Sequence, residues 1–561
     1  MPPWRMVPRA GVLVVLSTLA LSAPSTAAAQ SSDHARSAEA TSEERAVRAR
    51  LPDVAELTVA DVQAGYRSGA FTAVQLTQAF LDRIGRYESN YNAFISMNPD
   101  ALTTAAELDA ELARSGPHGP LHGVPVVIKD NIDVAGLVTT AGFEGFDRST
   151  GGVDMIPDDD AAVVTRLRQA GAIILGKTNL PDFAEDGTRT RSTVAGTTLN
   201  PYDVTKTPGG SSGGTATAVN ASFAVLGLGT ETGGSIENPA SAQGLVGVKP
   251  TYGLVPLEGV VPVAATYLDV VGPIARSVRD AALALDVLAG PTEEDPATFA
   301  SEGHIPDGGY VGALDAASVA GRRFGLVGPG WRDDWLPMDP RSEALYRDAV
   351  ARLTAMGAQV VEDPFAGTGF VELYDERPRV SSQRAYDMLV YLQGLGDGAA
   401  FHSIAEWEAL TGRLFPGLLG QLGNGGVHSV PARPSATEEG DAYQAWRMRL
   451  RELFRAVLDQ HDLDGLFFPQ AAYPSRDLIE DPERPEYSPN NWAEIPSNIV
   501  NDLGAPVVTV PYAYFGDGAP FVLAFVGDMW TEADLLGYAY ALEQGTHARR
   551  PPRLSERRLG R

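Results

Sequence analysis

Apolar and polar positions alternate along this chain in two different rhythms. From Thr72 onward, Val74, Leu76, Phe80, Leu81 and Ile84 recur at helical spacing, and Thr72-Ala-Val-Gln75 opens that run with a hydroxyl followed three places on by a glutamine. Thr58-Val-Ala-Asp61 has the same form, so both predict capped helix starts. Further helices are expected over 101–113, 159–169 (started by acids), 215–221, 278–289, 342–356, 441–460 and 532–543. Between them lie short continuous apolar runs of the kind that form buried strands: 124–128, 172–175, 224–228, 324–327, 359–361, 465–468, 506–510 and 521–525. Helix and strand in alternation predict an α/β protein with a largely parallel sheet. Residues 189–208 read as loop, and 365–434 as an irregular insertion that faces substrate. No internal repeat or linker divides 51–548, so one large domain is expected, followed by a tail over 549–561.

The N-terminus has a different pattern. Arg5 and Arg9 precede an apolar run from Gly11 to Leu21, and Ala27-Ala28-Ala29 offers a small-residue cleavage site. Residues 1–29 therefore read as a secretory signal peptide, with the run too short to span a bilayer, and 30–50 as a flexible lead-in. The expected destination is the periplasm or the exterior. A net charge of −27 disfavours partnership with nucleic acid or a membrane surface. With no cysteine there is no thiol nucleophile, disulfide or thiolate metal site. Only Lys129, Lys177, Lys206 and Lys249 are lysines among 44 basic residues, and all four fall near one glycine-rich region. Arginine does not give up its proton in a protein, whereas a buried lysine can, so a general base at Lys129 has to be lysine.

That region, Pro208 to Ser235, holds two glycine-wrapped serine sites, Gly209-Gly-Ser-Ser-Gly-Gly214 and Gly233-Gly-Ser235. Glycine lets backbone and hydroxyls crowd a ligand atom. Gly209 to Gly213 formally matches the G-x-S-x-G elbow, but that elbow needs a strand directly before it, and Asn200 to Pro208 is loop. A phosphate loop would need a Lys-Ser/Thr pair closing the glycines, and a zinc hydrolase its clustered histidines. His118 and His122 are four apart, but flanking glycines and a proline work against a helix there.

The blocks GVPVVIKDNID, PGGSSGG, GTETGGSIENPAS and GLVGVKPTYG, with Ser211 and Ser235 separated by 24 residues, resemble the amidase signature family. That resemblance implies an α/β fold, a single large domain with a central twisted mixed β-sheet flanked by helices. It also implies a linear-amide hydrolase that uses a Ser-cisSer-Lys triad and no cofactor or metal. Residue by residue, Ser235 would be the acylated nucleophile, and Ser211, after a cis peptide bond, would bridge it to Lys129, the terminal base. Backbone N–H groups at Thr232, Gly233, Gly234 and Ser235 would hold the oxyanion, and Ser212 would steady the network. Many family members carry Asp where Glu231 stands and Arg where Glu237 stands. An acid two residues after the nucleophile is expected to disfavour anionic substrates.

The family includes cytosolic tRNA-dependent amidotransferase subunits, which an export signal does not suit, together with peptide amidases, aryl-acylamidases and fatty-acid-amide hydrolases. The GTET wording and the expected export lean towards peptide amidase, with a small-molecule or peptide amide as substrate. An aryl-acylamidase or carbamate hydrolase is the alternative, and a non-catalytic exported binding protein is the alternative of another class. Oligomeric state is not legible.

Overall fold

The computed structural model describes residues 51–555 except 335, 382, 416–431, 486–487 and 489–492. The expected signal peptide, the lead-in over 30–50, part of the 365–434 insertion and the last six residues of the tail lie outside the described residues.

Helices α1 (Val59–Ser68) and α2 (Ala73–Tyr87) start at Thr58 and Thr72, each with a complete capping box. Then follow β1 (Phe94–Met97), α3 (Ala101–Ser115), β2 (Pro125–Lys129), α4 (Ala162–Gln169) and β3 (Ile173–Thr178). Helix α4 begins later than its acids suggested, because Asp160 accepts the Ala135 N–H and pairs with Arg168 instead of entering the helix. The serine-rich stretch supplies α5 (Gly213–Asn220), β4 (Leu226–Glu231) and α6 (Glu237–Ala242). After it come β5 (Val246–Lys249), β6 (Val270–Ala275), α7 (Val278–Leu288), β7 (Arg323–Leu326), α8 (Pro340–Ala355) and β8 (Gln359–Glu362). The insertion holds α9 (Phe370–Asp375), α10 (Gln383–Gln393) and α11 (Ile404–Thr411). The chain closes with α12 (Glu438–His461), β9 (Gly465–Pro469), α13 (Ser497–Leu503), β10 (Val507–Tyr514), β11 (Pro520–Val526) and α14 (Glu532–Thr546).

These strands form one 11-stranded sheet in the order β1-β3-β2-β4-β6-β5-β10-β11-β9-β7-β8. The expectation of a largely parallel sheet needs correcting. β3-β2-β4 and β9-β7-β8 pair in parallel, but every other neighbour is antiparallel. Two of these neighbours, β5–β6 and β10–β11, are joined with no helix between them, whereas a parallel neighbour requires a crossover connection. The result is a mixed sheet flanked by helices.

In its described residues the insertion is not irregular either. Met388, Tyr391, Leu392, Phe401, Ile404 and Trp407, from α10, α11 and the link between them, pack on Phe143, Phe146 and Phe183 in one buried aromatic cluster. Polar anchors fix α10 as well: Tyr391 donates to Asp133 Oδ1 at 2.9 Å, and Asp387 takes the N–H and hydroxyl of Thr266. The cap is therefore bonded to the loops that leave β2 and enter β6. The start of the tail is bound too, since Arg549 pairs with Glu56 at 3.0 Å and donates to the Gly244 carbonyl at 2.9 Å.

Candidate active site

Lys129 is the last residue of β2, between β3 and β4, and no part of it is exposed. The carboxyl ends of parallel strands are where open α/β sheets place their ligands. The lysine's Nζ lies 2.7 Å from Ser211 Oγ, 2.8 Å from Thr230 Oγ1 and 3.1 Å from the Thr230 carbonyl oxygen. Burial strips water from the ammonium and brings its pKa down from 10.5 to about 7, against the opposing pull of Asp269 and Glu231. A neutral amine has two N–H groups and one lone pair. Thr230 offers two acceptors, which leaves the lone pair free to face the Ser211 hydroxyl.

Ser211 follows a cis Gly210–Ser211 peptide and is fully buried. At Gly210 a Cβ would collide with the carbonyl oxygens of Asp186 and Arg189, so only glycine fits before this serine. Ser212, the next residue, joins the two glycine-serine sites. Its N–H donates to the Ser235 carbonyl at 3.2 Å, and its hydroxyl donates to the Thr230 carbonyl at 3.2 Å while accepting the Thr230 N–H at 3.3 Å. Ser235 lies in the turn from β4 to α6 and is 7% exposed. Among the described residues no hydrogen bond links the Ser211 and Ser235 hydroxyls; the two turns meet through Ser212.

The turn before Ser235 is built for donation. Gly234 has φ of +96°, a conformation that suits glycine, and a Cβ there would stand 2.7 Å from the Asn238 amide nitrogen. Among the described residues, nothing accepts the backbone N–H groups of Thr232, Gly233, Gly234 or Ser235. A row of free donors beside a buried hydroxyl is the arrangement that stabilises a developing oxyanion. Thr232 fixes one end of the turn, donating to Asp269 Oδ1 at 2.5 Å, and Asp269 in turn takes the N–H groups of Val263 and Ala264 at 2.8 Å each.

The structure thus gathers Lys129, Ser211, Ser212 and the Thr232–Ser235 turn into one region. Sequence reasoning missed Thr230, Asn131 and Asp269. Thr230 sits in the GTET block, and Asn131, which donates to Thr230 Oγ1 at 3.0 Å, stands two residues after Lys129. Asp269 carried no signal. The expectation that Glu237 would repel anionic substrates is overturned: its side chain is fully buried in the first turn of α6 and accepts from Gln470. His118 pairs with Glu111, and His122 accepts the His118 backbone N–H.

A family model described as Amidase matches residues 75–536. A glutamyl-tRNA(Gln) amidotransferase subunit of Alkaliphilus metalliredigens is 33% identical over 507 residues, 88% of this chain and 96% of that protein. The X-ray structure of native peptide amidase from Stenotrophomonas maltophilia is similar with a TM-score of 0.74 at 34% identity, covering 89% of this chain and 99% of that one. The corresponding glutamyl-tRNA(Gln) amidotransferase subunit from Thermotoga maritima gives 0.63 at 25% identity, covering 90% and 99%. With its sequence blocks, sheet and sequence likeness in agreement, the chain belongs to the amidase signature family, enzymes that act on amide C–N bonds.

Proposed function

We propose that this amidase cleaves carboxamides through an acyl-Ser235 intermediate, with Ser211 relaying protons to and from Lys129. The observation that carries this reading is the 2.7 Å contact between Ser211 and a fully buried lysine whose pKa lies near neutrality. Ser235 Oγ attacks the amide carbon as its proton moves to Ser211 Oγ, and the Ser211 proton moves to Lys129 Nζ. The carbonyl oxygen, now anionic, takes the free N–H groups of the Thr232–Ser235 turn. As the C–N bond breaks, Lys129 returns its proton through Ser211 to the leaving nitrogen, which departs as ammonia or an amine. Water then enters and its oxygen attacks the acyl carbon as its proton passes to the same relay, which returns that proton to Ser235 Oγ as the ester bond breaks and the acid leaves. Serine alone is a weak nucleophile, and this relay supplies the base it needs.

The substrate class we assign is the C-terminal amide of peptides. The GTET wording supports it, as does the greater likeness in fold to the peptide amidase than to the amidotransferase subunit. We further propose export, on the strength of the Arg5/Arg9, Gly11–Leu21 and Ala27–Ala29 pattern; N-terminal sequencing of the mature protein from a fractionated culture tests it. The curated relatives favour a second reading, an amidotransferase subunit that works with protein partners.

The deciding experiment measures ammonia from a panel of peptide amides beside amine from simple anilides, using the purified chain alone. Ammonia from peptide amides with slow anilides is the expected result. Fast anilides without ammonia would move the substrate to small aromatic amides. Silence until partner subunits are added would favour the second reading, and labelling of Ser235 by a serine-reactive probe separates all of these from a non-catalytic binding protein.

A further inference from the structure

Two buried carboxyls remain outside the serine–lysine relay. Glu231 ends β4 and Glu237 opens α6, so the pair flanks the turn that carries Ser235, and the two residues are 1% and 0% exposed. Glu231 Oε2 accepts the N–H of Ile236 at 2.8 Å and that of Glu237 at 3.2 Å, the two residues that follow Ser235. Its side chain therefore braces the turn from strand to helix. Glu237 Oε2 accepts Gln470 Nε2 at 2.9 Å. One oxygen of each carboxyl, Glu231 Oε1 and Glu237 Oε1, has no hydrogen-bond partner among the described residues.

Two adjacent buried anions would repel each other and leave both of these oxygens unsatisfied. A single proton between the carboxyls removes the repulsion and lets one side chain donate to the other. We propose that Glu231 and Glu237 act as a one-proton pair that positions the Ser235 turn, with Glu231 as the anion and Glu237 as the acid. This rests on the reading of Ser235 as nucleophile. Glu231 already holds two N–H groups, those of Ile236 and Glu237. Burial, then the charge and hydrogen bond of Glu231, push Glu237 well above the usual carboxylate range. The charged and titratable groups facing the pair are Lys249 on β5, with Glu532 of α14 and Arg447 of α12 behind it, and Lys129 on β2, which feels both Glu231 and Asp269.

The consequence is a second limb in the pH profile. Activity rises as Lys129 loses its proton, then falls at alkaline pH when the pair loses its own and the turn relaxes. The test compares kcat and kcat/KM on a peptide amide across pH for the wild-type chain, Glu237→Gln, Glu237→Met and Glu231→Gln. Glu237→Gln keeps a hydrogen on that side chain at every pH, so its alkaline limb moves up by about one pH unit or more. Glu237→Met removes the same titration with an apolar side chain and is read in the same way if the glutamine variant does not fold. Glu231→Gln takes a negative charge from beside Lys129, so the acid limb moves to lower pH, and kcat drops as the brace weakens.

Alkaline limbs that superimpose on the wild type in the Glu237 variants would overturn the pair, as would an unmoved acid limb in Glu231→Gln. Ser235→Ala separates the two layers. If it is silent while the limbs do not move, the pair alone fails; if it turns over substrate, the nucleophile assignment fails.

Discussion

Replacing Lys129 by methionine keeps an unbranched chain of similar length and removes the amine at the centre of the site. In the folded protein this lysine loses its proton near pH 7, whereas in the unfolded chain it holds it to about 10.5. At 1.36 kcal/mol per pKa unit, that difference amounts to roughly 5 kcal/mol of stability withheld from the wild type wherever the lysine must be charged. The sign follows from proton binding. Between pH 7 and 10.5 the unfolded state binds one proton more than the native state, so this lysine's contribution makes stability rise with pH in that window. Below pH 7 both states are protonated, and the penalty is constant.

Lys129→Met has no such dependence. Equilibrium urea unfolding of both proteins at several pH values isolates the effect, because groups remote from Lys129 cancel in the difference. The wild type is expected to gain on the variant by roughly 5 kcal/mol from pH 7 to about 10.5, and by nothing below pH 7. Three hydrogen bonds lost at Ser211 and Thr230 offset the whole curve without changing its slope. Parallel stability curves would refute the argument that burial sets this lysine's proton affinity. Turnover by Lys129→Met is expected to fall on the order of 10³-fold or more, and wild-type kcat/KM to reach half its plateau near pH 7.

Ser235→Ala should abolish both turnover and labelling by a serine-reactive probe while leaving the urea midpoint nearly unchanged, since the side chain fills little space. Gly234→Ala places a Cβ 2.7 Å from the Asn238 amide nitrogen at a φ of +96° and turns the N–H donors away; kcat should fall about 10²-fold, with KM changed far less. Tyr391→Phe removes the hydroxyl that binds Asp133, a carboxyl that burial pushes up to about 7. The expected loss is about 1–2 kcal/mol of stability, with KM raised more than kcat is lowered, as initial-rate kinetics would report.

What the sequence disclosed depended on how local each feature is. Thr58 and Thr72 announce their helices because a capping box is complete within four residues. β6 went unseen because Gly272 and Pro273 look like a break, yet they pair with Gly229 and Leu228 in the middle of the sheet. The helices of the cap were hidden for a similar reason: the apolar faces of Met388, Tyr391 and Trp407 are completed by Phe143, Phe146 and Phe183, more than two hundred positions away. At the site, Ser211 and Ser235 were legible because glycines mark them at a fixed separation. Thr230 and Asp269 were not, because their partners are set by how β4 lies against β2 and β6.

The same distinction bears on which lysine we propose as the base. Lys129, Lys177 and Lys249 are all wholly buried, so burial alone does not separate them. Lys177 lies 3.1 Å from Asp130 Oδ1 and donates to Thr139 Oγ1 at 2.6 Å. Lys249 gives hydrogen bonds to the carbonyls of Pro250 and Ala505 and feels Glu231, Glu237 and Glu532; its pKa comes down only to about 8. Lys129 meets a hydroxyl, a second hydroxyl and a carbonyl, all uncharged, and comes down further. A carboxylate in contact thus sets Lys177 apart from Lys129, and three nearby acids rather than two leave Lys249 with the higher pKa. Placing an acid there, as Thr230→Asp would, should pair Lys129, raise its pKa and move the acid limb of kcat/KM upward by about one unit or more. A Thr230→Asp enzyme with an unmoved acid limb would mean that some group other than Lys129 takes the proton.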